Sequence, residues 1–372
     1  MAADGQCRRR DFLRTLGLGL GGVCCAGLAP AAADGLPDHE ASFYERLDRE
    51  RVRCELCPRA CVIAPDGSGF CRVRRNVAGR LYAEVYGRAC ARNVDPVEKK
   101  PFFHVYPGSR SYSIATVGCN FTCRFCQNWD IAMAGPDDVA ASFHKPAGIV
   151  QAALAAGCRT ISYTYSEPTV FYEYMRDCAR EGRDRGVASL MVSNGFINEE
   201  PQRQLLPLLR AVKIDLKSFS EEFYDKVCGG RLQPVLDSLL RLRDHGIWYE
   251  IVVLIIPGLN DGRDEIRRMT EWIVRELGPD VPVHFSRYHP SYRMRNIPAT
   301  PPSLLRQCRD WAREQGCRFV YLGNLPGDDA QHTFCPDCGK VLIRRQAYHI
   351  MQNNIQQGRC DACGCVIPGV WT

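Results

Sequence analysis

Short apolar runs rich in β-branched residues recur from residue 113 onward, and each has the length of a buried strand. The predicted strands are residues 113–117, 160–165, 187–192, 211–216, 249–256, 283–287 and 319–322. Segments with helical periodicity separate most of them. The predicted helices are residues 147–156, 169–183, 233–244, 265–277 and 303–315. Strands that alternate with helices predict βα units around a parallel sheet.

Six or seven such units favour a partial or complete (βα) barrel, with a doubly wound sheet as the alternative. Residues 34–110 lack this alternation and are interpreted as an irregular region with four cysteines. Pro326 and Gly327 mark a second boundary. We therefore predict four segments. They are a leader (1–33), an N-terminal four-cysteine region (34–110), a core barrel (111–325) and a small C-terminal module (326–372).

The leader has the layout of an export signal. Residues 8–10 are basic, residues 15–33 carry no charge, and three alanines at 31–33 offer a small-residue cleavage site. Residues 9–13, RRDFL, resemble a twin-arginine signal. Export is therefore expected, with an uncleaved anchor or a cytoplasmic location as alternatives, and no stable membrane span is expected.

Composition excludes several classes of protein. The 372 residues are 45% hydrophobic and 24% charged, which is typical of a globular chain rather than a disordered or multi-span membrane protein. A net charge of +6 is too mild to indicate nucleic-acid binding. The 21 cysteines are the anomaly, because a chain of this length can bury a core without disulfides. Eleven of them form three groups at short spacing, which favours metal or iron–sulfur ligation.

Polar residues follow the ends of successive predicted strands. They are Cys119, Glu167, Asn194, Asp215 with Lys217, and His289. Because the carboxyl ends of parallel strands meet at one edge, these positions indicate one ligand site. The structural alternatives are a turn residue for Asn194, a strand-end ion pair for Asp215 and Lys217, and a satisfied structural histidine for His289.

The central cysteines, Cys119, Cys123 and Cys126, lie within eight residues as C-x3-C-x2-C. Iron–sulfur clusters normally take four thiolates. Three thiols from one loop would leave one iron of a 4Fe–4S cluster open, and an open position is typical of a catalytic metal site. Three structural cysteines or a zinc site are the alternatives.

This segment, GCNFTCRFCQNW, resembles the radical S-adenosylmethionine (SAM) superfamily. The resemblance implies that SAM binds the open iron and that one-electron cleavage yields a 5′-deoxyadenosyl radical. It implies that Glu167 accepts from the SAM amino group and that Asn194 meets the ribose hydroxyls. Asp215 and Lys217 resemble the Asp-x-Lys of glycyl-radical activating enzymes, which contacts the amino acid portion of SAM.

Two details of the resemblance concern other residues. His289 resembles an activase histidine near the adenosyl group. Tyr165 and Ser166 stand where the superfamily usually has two glycines before the glutamate, so this stretch departs from the common pattern.

Two further cysteine groups flank the core. The first is Cys54, Cys57, Cys61 and Cys71, for which zinc, a second iron–sulfur cluster and no metal all remain open. The second is Cys335, Cys338, Cys360 and Cys363, which has a zinc-ribbon spacing. Zinc is expected there because so small a module has too little core to fold alone. A rubredoxin-like iron and, in an exported protein, a disulfide are the alternatives.

Several stretches together resemble one subgroup, the radical SAM enzyme of the AmmeMemoRadiSam system, a pyruvate formate-lyase activating enzyme homologue. They are CELCPRACVI, GFCRVRRN, DPVEKKPFFHVYPG, SYTYSEPTVFYEY, VKIDLKSF and CGCVIPGVW. The resemblance implies a partial barrel, a SAM-bound 4Fe–4S cluster, and association with Memo-like and AMMECR-type proteins. An electron donor such as ferredoxin or flavodoxin is expected, and no nucleic acid is.

We therefore predict an α/β protein with a partial (βα)6-type radical SAM barrel, an N-terminal four-Cys segment and a zinc-ribbon-like C-terminal module. The predicted function is a radical SAM enzyme that abstracts hydrogen from a protein or small molecule, with a glycyl-radical enzyme activase as the alternative. A non-catalytic iron–sulfur electron carrier or a zinc-ribbon nucleic-acid binder is the remote alternative. Because a radical needs a dry site, residues 54–110 or the C-terminal module are expected to cover part of the barrel mouth.

Overall fold

The computed structural model describes residues 39–372. The twin-arginine-like leader predicted for residues 1–33 lies outside the described residues. Within residues 39–372, no helix is both long enough and apolar enough to cross a membrane.

The described residues form twenty strands of two to eight residues. In chain order they are β1 (Tyr44–Arg46), β2 (Val52–Cys54), β3 (Val62–Ile63), β4 (Arg74–Val77), β5 (Arg80–Ala83), β6 (Arg88–Ala89), β7 (Ala91–Pro96), β8 (Arg110–Ala115), β9 (Ser142–Phe143), β10 (Thr160–Tyr163), β11 (Ala188–Ser193), β12 (Ala211–Asp215), β13 (Trp248–Ile255), β14 (Val283–Arg287), β15 (Val320–Gly323), β16 (Thr333–Phe334), β17 (Val341–Gln346), β18 (His349–Asn353), β19 (Ile355–Gln356) and β20 (Arg359–Cys360).

Helices connect the core strands. They are α1 (Trp129–Ala132), α2 (Pro146–Ala155), α3 (Tyr172–Asp184), α4 (Glu199–Leu205), α5 (Glu221–Phe223), α6 (Gln233–His245), α7 (Arg263–Trp272) and α8 (Pro302–Glu314). Short 3-10 or π-helical turns lie at Val97–Lys99, Pro168–Phe171, Leu206–Leu208, Tyr224–Cys228, Ile273–Leu277 and Asp329–Gln331.

The central sheet has eight strands in the order β15-β14-β13-β12-β11-β10-β8-β7. The strands from β8 to β15 in this sheet are parallel, and only the edge strand β7 is antiparallel, with Ala91 opposite Ala115 and Pro96 opposite Arg110. Neither edge, β7 nor β15, pairs with a further strand among residues 39–372. The sheet with its helices is therefore an α/β partial barrel, which is the predicted fold class.

All seven predicted core strands and all five predicted helices are present near their predicted bounds. The strands were recognisable because they are almost wholly buried, as in β13, whose eight residues are all at least partly buried. The first strand begins earlier than predicted, at Arg110, because β7 pairs along its whole length. The predicted helix 265–277 consists of α7 followed by the π-helical turn Ile273–Leu277.

The interpretation of residues 34–110 as irregular is wrong for the described part of that range. It holds the seven strands β1 to β7, most of them only two to four residues long. Alternation of polar and apolar residues cannot be recognised in runs so short. Pairing between strands sets their register instead, within the hairpin of β4 and β5 and between β7 and β8.

A buried ion pair fixes the N-terminal segment to the barrel. Arg74 in β4 donates two hydrogen bonds of 2.9 Å to the carboxylate of Glu173 in α3. The two side chains are 1% and 0% exposed. The backbone N–H of Ser42 also donates to Glu173, at 2.7 Å. A pair so completely desolvated cannot lose one partner without leaving a buried charge.

The segment between β7 and β8 closes the barrel at the N-terminal ends of the parallel strands. Glu250, near the start of β13, accepts hydrogen bonds from the backbone N–H groups of Phe103 (3.0 Å) and His104 (2.8 Å). The end of the chain joins this floor, since the N–H of Val370 donates to the carbonyl of His104 at 2.7 Å. Arg345 of the C-terminal module donates to the carbonyl of Phe103 at 2.8 Å.

Substitution of Glu173 by Gln is expected to lower the free energy of unfolding by about 3 kcal/mol, because the Arg74 charge stays buried without its counter-ion. Urea unfolding of the anaerobically purified protein measures the change. The control is Glu181→Gln in the same helix, where a half-exposed pair with Arg185 spans 3.5 Å and the loss should stay within about 1 kcal/mol. Equal losses in the two variants would contradict the role given to the buried pair.

Candidate functional site

The three central cysteines lie in the loop after β8 and line one cavity. Backbone hydrogen bonds hold this loop against the turn that ends at Cys228, from the N–H of Thr122 to the carbonyl of Cys228 at 2.8 Å. A hydrogen bond with the Cys228 thiol, together with burial, raises the pKa of the Cys123 thiol. Cys228 itself does not line the cavity. The cavity is therefore lined by the three thiols of the loop, and Cys228 does not supply a fourth.

The cavity has a volume of about 450 Å³, which suits a cofactor-sized molecule. The structure brings together at its wall every predicted site residue of the core except His289. These residues are Cys119, Cys123, Cys126, Glu167, Asn194, Asp215 and Lys217. They lie at or just after the C-terminal ends of β8, β10, β11 and β12, so the shared edge expected from a parallel sheet is present.

Glu167 is buried and already well supplied with hydrogen bonds. Its Oε1 accepts from the N–H (3.0 Å) and hydroxyl (2.7 Å) of Thr169 and from the hydroxyl of Ser193 (2.7 Å). Its Oε2 accepts from the N–H of Asn194 at 2.8 Å. Burial raises the pKa of Glu167, and these hydrogen bonds oppose the rise because they favour the carboxylate. Oε2 has the capacity for one further donor from the cavity.

Three charged side chains share one face of β12 and its continuation, because alternate residues of a strand point the same way. Asp215 accepts hydrogen bonds from Lys213 and from Lys217, the latter at 2.7 Å. Burial acts to raise the pKa of Asp215, but the two lysine charges outweigh it and hold the pKa well below the usual range. The cluster carries one positive charge in excess. Lys213 was not among the predicted site residues, although the two-residue period of a strand places it on the same face as Asp215.

Asn194 connects two loops at the cavity wall. Its Oδ1 accepts from the N–H of Phe196 at 2.9 Å, and its Nδ2 donates to Oδ1 of Asn120 at 2.8 Å. The first bond gives Asn194 the turn role that the sequence offered as an alternative. The amide retains one N–H donor beyond these two contacts.

His289 is exposed and does not line the cavity. A different histidine does, namely His284 in β14, which forms a 2.7 Å hydrogen bond with Oε2 of Glu250. Burial lowers the pKa of His284, although the hydrogen bond to Glu250 opposes this shift. His284 and Ser286 share the inward face of β14. The alternation of residues along β14 therefore indicates His284 as a cavity residue, whereas the predicted His289 lies beyond the end of that strand.

Both flanking segments contribute to the cavity wall. The segment between β7 and β8, which forms the floor of the barrel, supplies Lys100 and Phe103. The C-terminal module supplies Gln331 and Tyr348. The contacts of Phe103 with Glu250 place part of this cover at the N-terminal ends of the strands. Residues of 54–110 and of the C-terminal module thus both line the site, and these contacts lie at its floor. Cover at the barrel mouth stays a prediction.

The N-terminal cysteines line a second, smaller cavity together with Arg59 and Arg74. These cysteines are Cys54, Cys57, Cys61 and Cys71. Burial raises the pKa of the Cys57 thiol to about 12 and that of the Cys71 thiol to about 11. Thiols in such surroundings are deprotonated when a metal binds them. The four-cysteine pocket, defined by these thiols, can therefore hold a metal centre.

The C-terminal cysteines, Cys335, Cys338, Cys360 and Cys363, form a much tighter group. Their sulfur atoms all lie within 4.8 Å of one another. The Cys335–Cys363 and Cys338–Cys360 sulfur pairs are 3.5 and 3.7 Å apart. A tetrahedral zinc ion with Zn–S bonds of about 2.3 Å places its sulfur ligands about 3.8 Å apart. The geometry fits a single metal ion.

Comparison with known proteins agrees with this site. The family model for the radical SAM superfamily matches residues 113–273. The uncharacterized protein MJ0808 of Methanocaldococcus jannaschii is 42% identical over 327 residues, which cover 87% of this chain and 97% of that protein. The pyruvate formate-lyase 1-activating enzyme of Escherichia coli K12 is 23% identical over 177 residues, 46% of this chain and 71% of the enzyme.

Solved structures show partial likeness. A radical SAM methyltransferase from Sphaerobacter thermophilus has a TM-score of 0.47 at 14% identity, over 58% of this chain and 67% of that one. A TYW1 structure with a lysine-pyruvate adduct has a TM-score of 0.42 at 18% identity, over 56% of this chain and 76% of that one.

The fold and the family match define the class of protein, which is a radical SAM enzyme with distant homology to the pyruvate formate-lyase activating enzyme. Within this superfamily, which implies a 4Fe–4S cluster and SAM, the chain belongs to the family of MJ0808. The two non-catalytic alternatives from the sequence, a carrier and a nucleic-acid binder, are thereby set aside.

Gly230 packs against the ring of Phe121 in the cysteine loop, and a Cβ at this position would lie 2.8 Å from Phe121 Cδ1 and closer still to its neighbour Cε1. Gly230→Ala is therefore expected to displace the loop, to cost about 1–3 kcal/mol of stability, and to reduce iron bound after anaerobic reconstitution. Iron analysis and thermal unfolding measure the two effects. Gly148→Ala in α2 is the control, since no atom lies within 4 Å of its added Cβ. Normal iron content in Gly230→Ala would contradict the packing argument.

Proposed function

We propose that Cys119, Cys123 and Cys126 bind a 4Fe–4S cluster whose fourth iron stays open for SAM. The observation that carries the proposal is that three thiols, and not Cys228, line the same cavity as the polar residues of the strand ends. When bound, the cluster and SAM supply one-electron cleavage and a radical that abstracts hydrogen. The chain supplies position, charge and exclusion of water.

The charges of the cavity match those of the methionyl part of SAM. Glu167 offers one free acceptor position on a carboxylate whose other contacts are fixed, and it would take the amino group. Lys217, 14% exposed and already oriented by Asp215, would meet the carboxylate. The excess positive charge of the Lys213–Asp215–Lys217 cluster favours that anion. The remaining N–H of Asn194 would serve a ribose hydroxyl.

The walls around the site would protect the radical from side reactions with water. Phe103 from the floor and Tyr348 from the C-terminal module line the cavity beside the strand residues. Such walls keep bulk water from the reacting atoms, which preserves a reactive species for its substrate. The buried His284 is held by Glu250 on this wall and would orient a polar group of the substrate.

We propose a protein or small-molecule hydrogen donor as substrate and place the chain in the AmmeMemoRadiSam system, with Memo-like and AMMECR-type proteins as partners. The sequence stretches that resemble this subgroup support the proposal. A glycyl-radical enzyme activase is the second candidate, favoured by the 23% identity to the activating enzyme. Electron paramagnetic resonance (EPR) distinguishes the two candidate functions. An activase would give an incubated glycyl-radical protein its glycyl EPR signal, whereas an enzyme with another substrate would not.

Three further proposals concern the rest of the chain. Zinc would occupy the C-terminal thiols, as their sulfur spacing supports. A ferredoxin or flavodoxin would supply electrons. The twin-arginine-like leader would direct the folded protein to export, with a cytoplasmic location as the alternative.

The activity test is anaerobic incubation of reconstituted protein with reductant and SAM, with 5′-deoxyadenosine quantified. Wild-type protein is expected to form it, and Cys123→Ala is expected to form none because the cluster loses a ligand. Cys317→Ala, a buried cysteine outside the cavity, is the control for cysteine loss as such. Failure of a cluster-loaded wild-type protein to bind SAM would overturn the proposal.

Glu167→Gln is expected to weaken SAM binding about 10- to 100-fold, since a hydrogen bond to a charged group contributes about 1.5–3 kcal/mol. The amide keeps the shape of the side chain but not its charge. Titration calorimetry with the cluster-loaded protein measures the dissociation constant. The exposed Glu200→Gln serves as the control, and an unchanged affinity in Glu167→Gln would show that the carboxylate does not meet the amino group.

A further inference from the structure

We propose that the four-cysteine pocket, formed by Cys54, Cys57, Cys61 and Cys71, binds a second iron–sulfur cluster that passes single electrons to the cluster of the Cys119 loop. The inference adds a redox site to the enzyme and rests on the radical SAM activity only for the direction of electron flow. Sulfur spacing, the walls of the pocket and its contact with the catalytic loop carry it.

Sulfur spacing separates the three cysteine groups. Around a single tetrahedral ion the thiolates lie about 3.8 Å apart. In a 4Fe–4S cluster each thiolate binds a different iron, so the sulfur atoms are held farther apart. Across residues 39–372, the C-terminal thiols are the one set of three or more candidate ligands whose ligand atoms all lie within 4.8 Å. In the four-cysteine pocket, as in the Cys119 loop, no three sulfur atoms all lie within 4.8 Å of one another, which is unlike the single-ion spacing of the C-terminal thiols.

The pocket has the character of a closed cluster site. Its four thiols could each bind one iron of a 4Fe–4S cluster, so that no iron would stay open for a substrate. The remaining wall is largely apolar, with Leu56, Ile63 and Val170. Two guanidinium groups, those of Arg59 and Arg74, also line the pocket. The charge of Arg74 is paired with Glu173, so Arg59 is the cation that would offset thiolate charge. Arg74 cannot swing away, because Glu173 holds both its terminal nitrogens.

The pocket and the Cys119 loop share a wall. Arg59, between two of the pocket cysteines, donates a 2.6 Å hydrogen bond to the carbonyl of Asn120, the residue after Cys119. Gly118, the residue before it, packs so closely on the pocket that an added Cβ would lie 2.8 Å from the carbonyl oxygen of Cys71. Asn120 itself lines the pocket. Of the two neighbours of Cys119, Gly118 thus packs on the backbone of a pocket cysteine, and Asn120 accepts from the side chain of Arg59 beside two others.

The position of the pocket suits a relay. Cys57 and Cys61 are partly exposed, whereas Cys54 and Cys71 are buried. Beside them the exposed Phe70 ring stacks with Arg59, 3.4 Å from the guanidinium carbon to the ring centroid. An external low-potential one-electron carrier would dock at this face and be oxidised by one electron. The pocket cluster would accept that electron and give it to the catalytic cluster, and so return to its starting state.

The first test counts metal in the full-length protein after anaerobic reconstitution with ferrous iron and sulfide. Wild-type protein should hold about eight iron and eight sulfide per chain, and the triple variant C119A/C123A/C126A about half of each. The control Cys158→Ala, a buried cysteine away from both cavities, should match wild type. A triple variant that holds about two zinc per chain and no sulfide would overturn the proposal, because the pocket would then be a zinc site.

A second measurement needs no variant and so does not depend on the folding of the triple substitution. The EPR spectrum of the reduced wild-type protein should contain two cluster signals. Addition of SAM should change one of them and leave the other unaltered, because a cluster with four thiolates has no open iron. A single signal that changes completely with SAM would overturn the second cluster.

Electron flow is tested with Cys57→Ser. Formation of 5′-deoxyadenosine should fall at least about tenfold with reduced flavodoxin but stay within about twofold of wild type with dithionite, a small reductant that can reach the catalytic cluster directly. Equal losses with both reductants would overturn the relay. If wild-type protein forms no 5′-deoxyadenosine, the proposed function fails, but the metal count and the EPR spectrum still decide whether the pocket holds a cluster.

Discussion

One buried carboxylate, that of Glu250 in β13, joins the segment between β7 and β8 to strand β14. It accepts hydrogen bonds from the backbone of Phe103 and His104 and from the ring of His284. A carboxylate this deep is stable only with such donors, since desolvation otherwise disfavours its charge. The same backbone segment then binds Arg345 and Val370. The barrel is open, since its edge strands β7 and β15 pair with no further strand among residues 39–372. It acquires its floor through these contacts, and the cavity above depends on that floor.

The sequence predicted the parallel core well because its strands are buried runs and its helices are long enough to show their period. The same pattern placed Cys119, Glu167, Asn194 and Asp215 at one rim, which follows from parallel topology alone. It could not predict β7 or the strands around the N-terminal cysteines. Runs of two to six residues carry too little periodicity, even where, as in β4 and β5, the pairing partner is the next strand along the chain.

The residues missed within the site have a common cause. Polar residues at strand ends indicate the rim of the barrel, but inward-facing positions within the strands also line the cavity. Lys213 and His284 occupy such positions, two residues before Asp215 and Ser286 respectively. Both are buried and hydrogen-bonded to a carboxylate. In a barrel that contains a ligand, a charged residue in the middle of an apolar strand is therefore as informative as one at its end.

The arrangement of charge in the cavity argues for a zwitterionic ligand rather than a neutral one. Glu167 and the Lys213–Asp215–Lys217 cluster stand on strands separated by β11, and each is held by its own hydrogen bonds before any ligand enters. Preoriented groups of opposite sign favour a molecule that carries both an ammonium and a carboxylate, because neither protein group must reorganise on binding. The amino acid portion of SAM has this form. Charge complementarity would then place its sulfonium relative to the three thiols, so that the strands and not the metal alone determine where the reaction occurs.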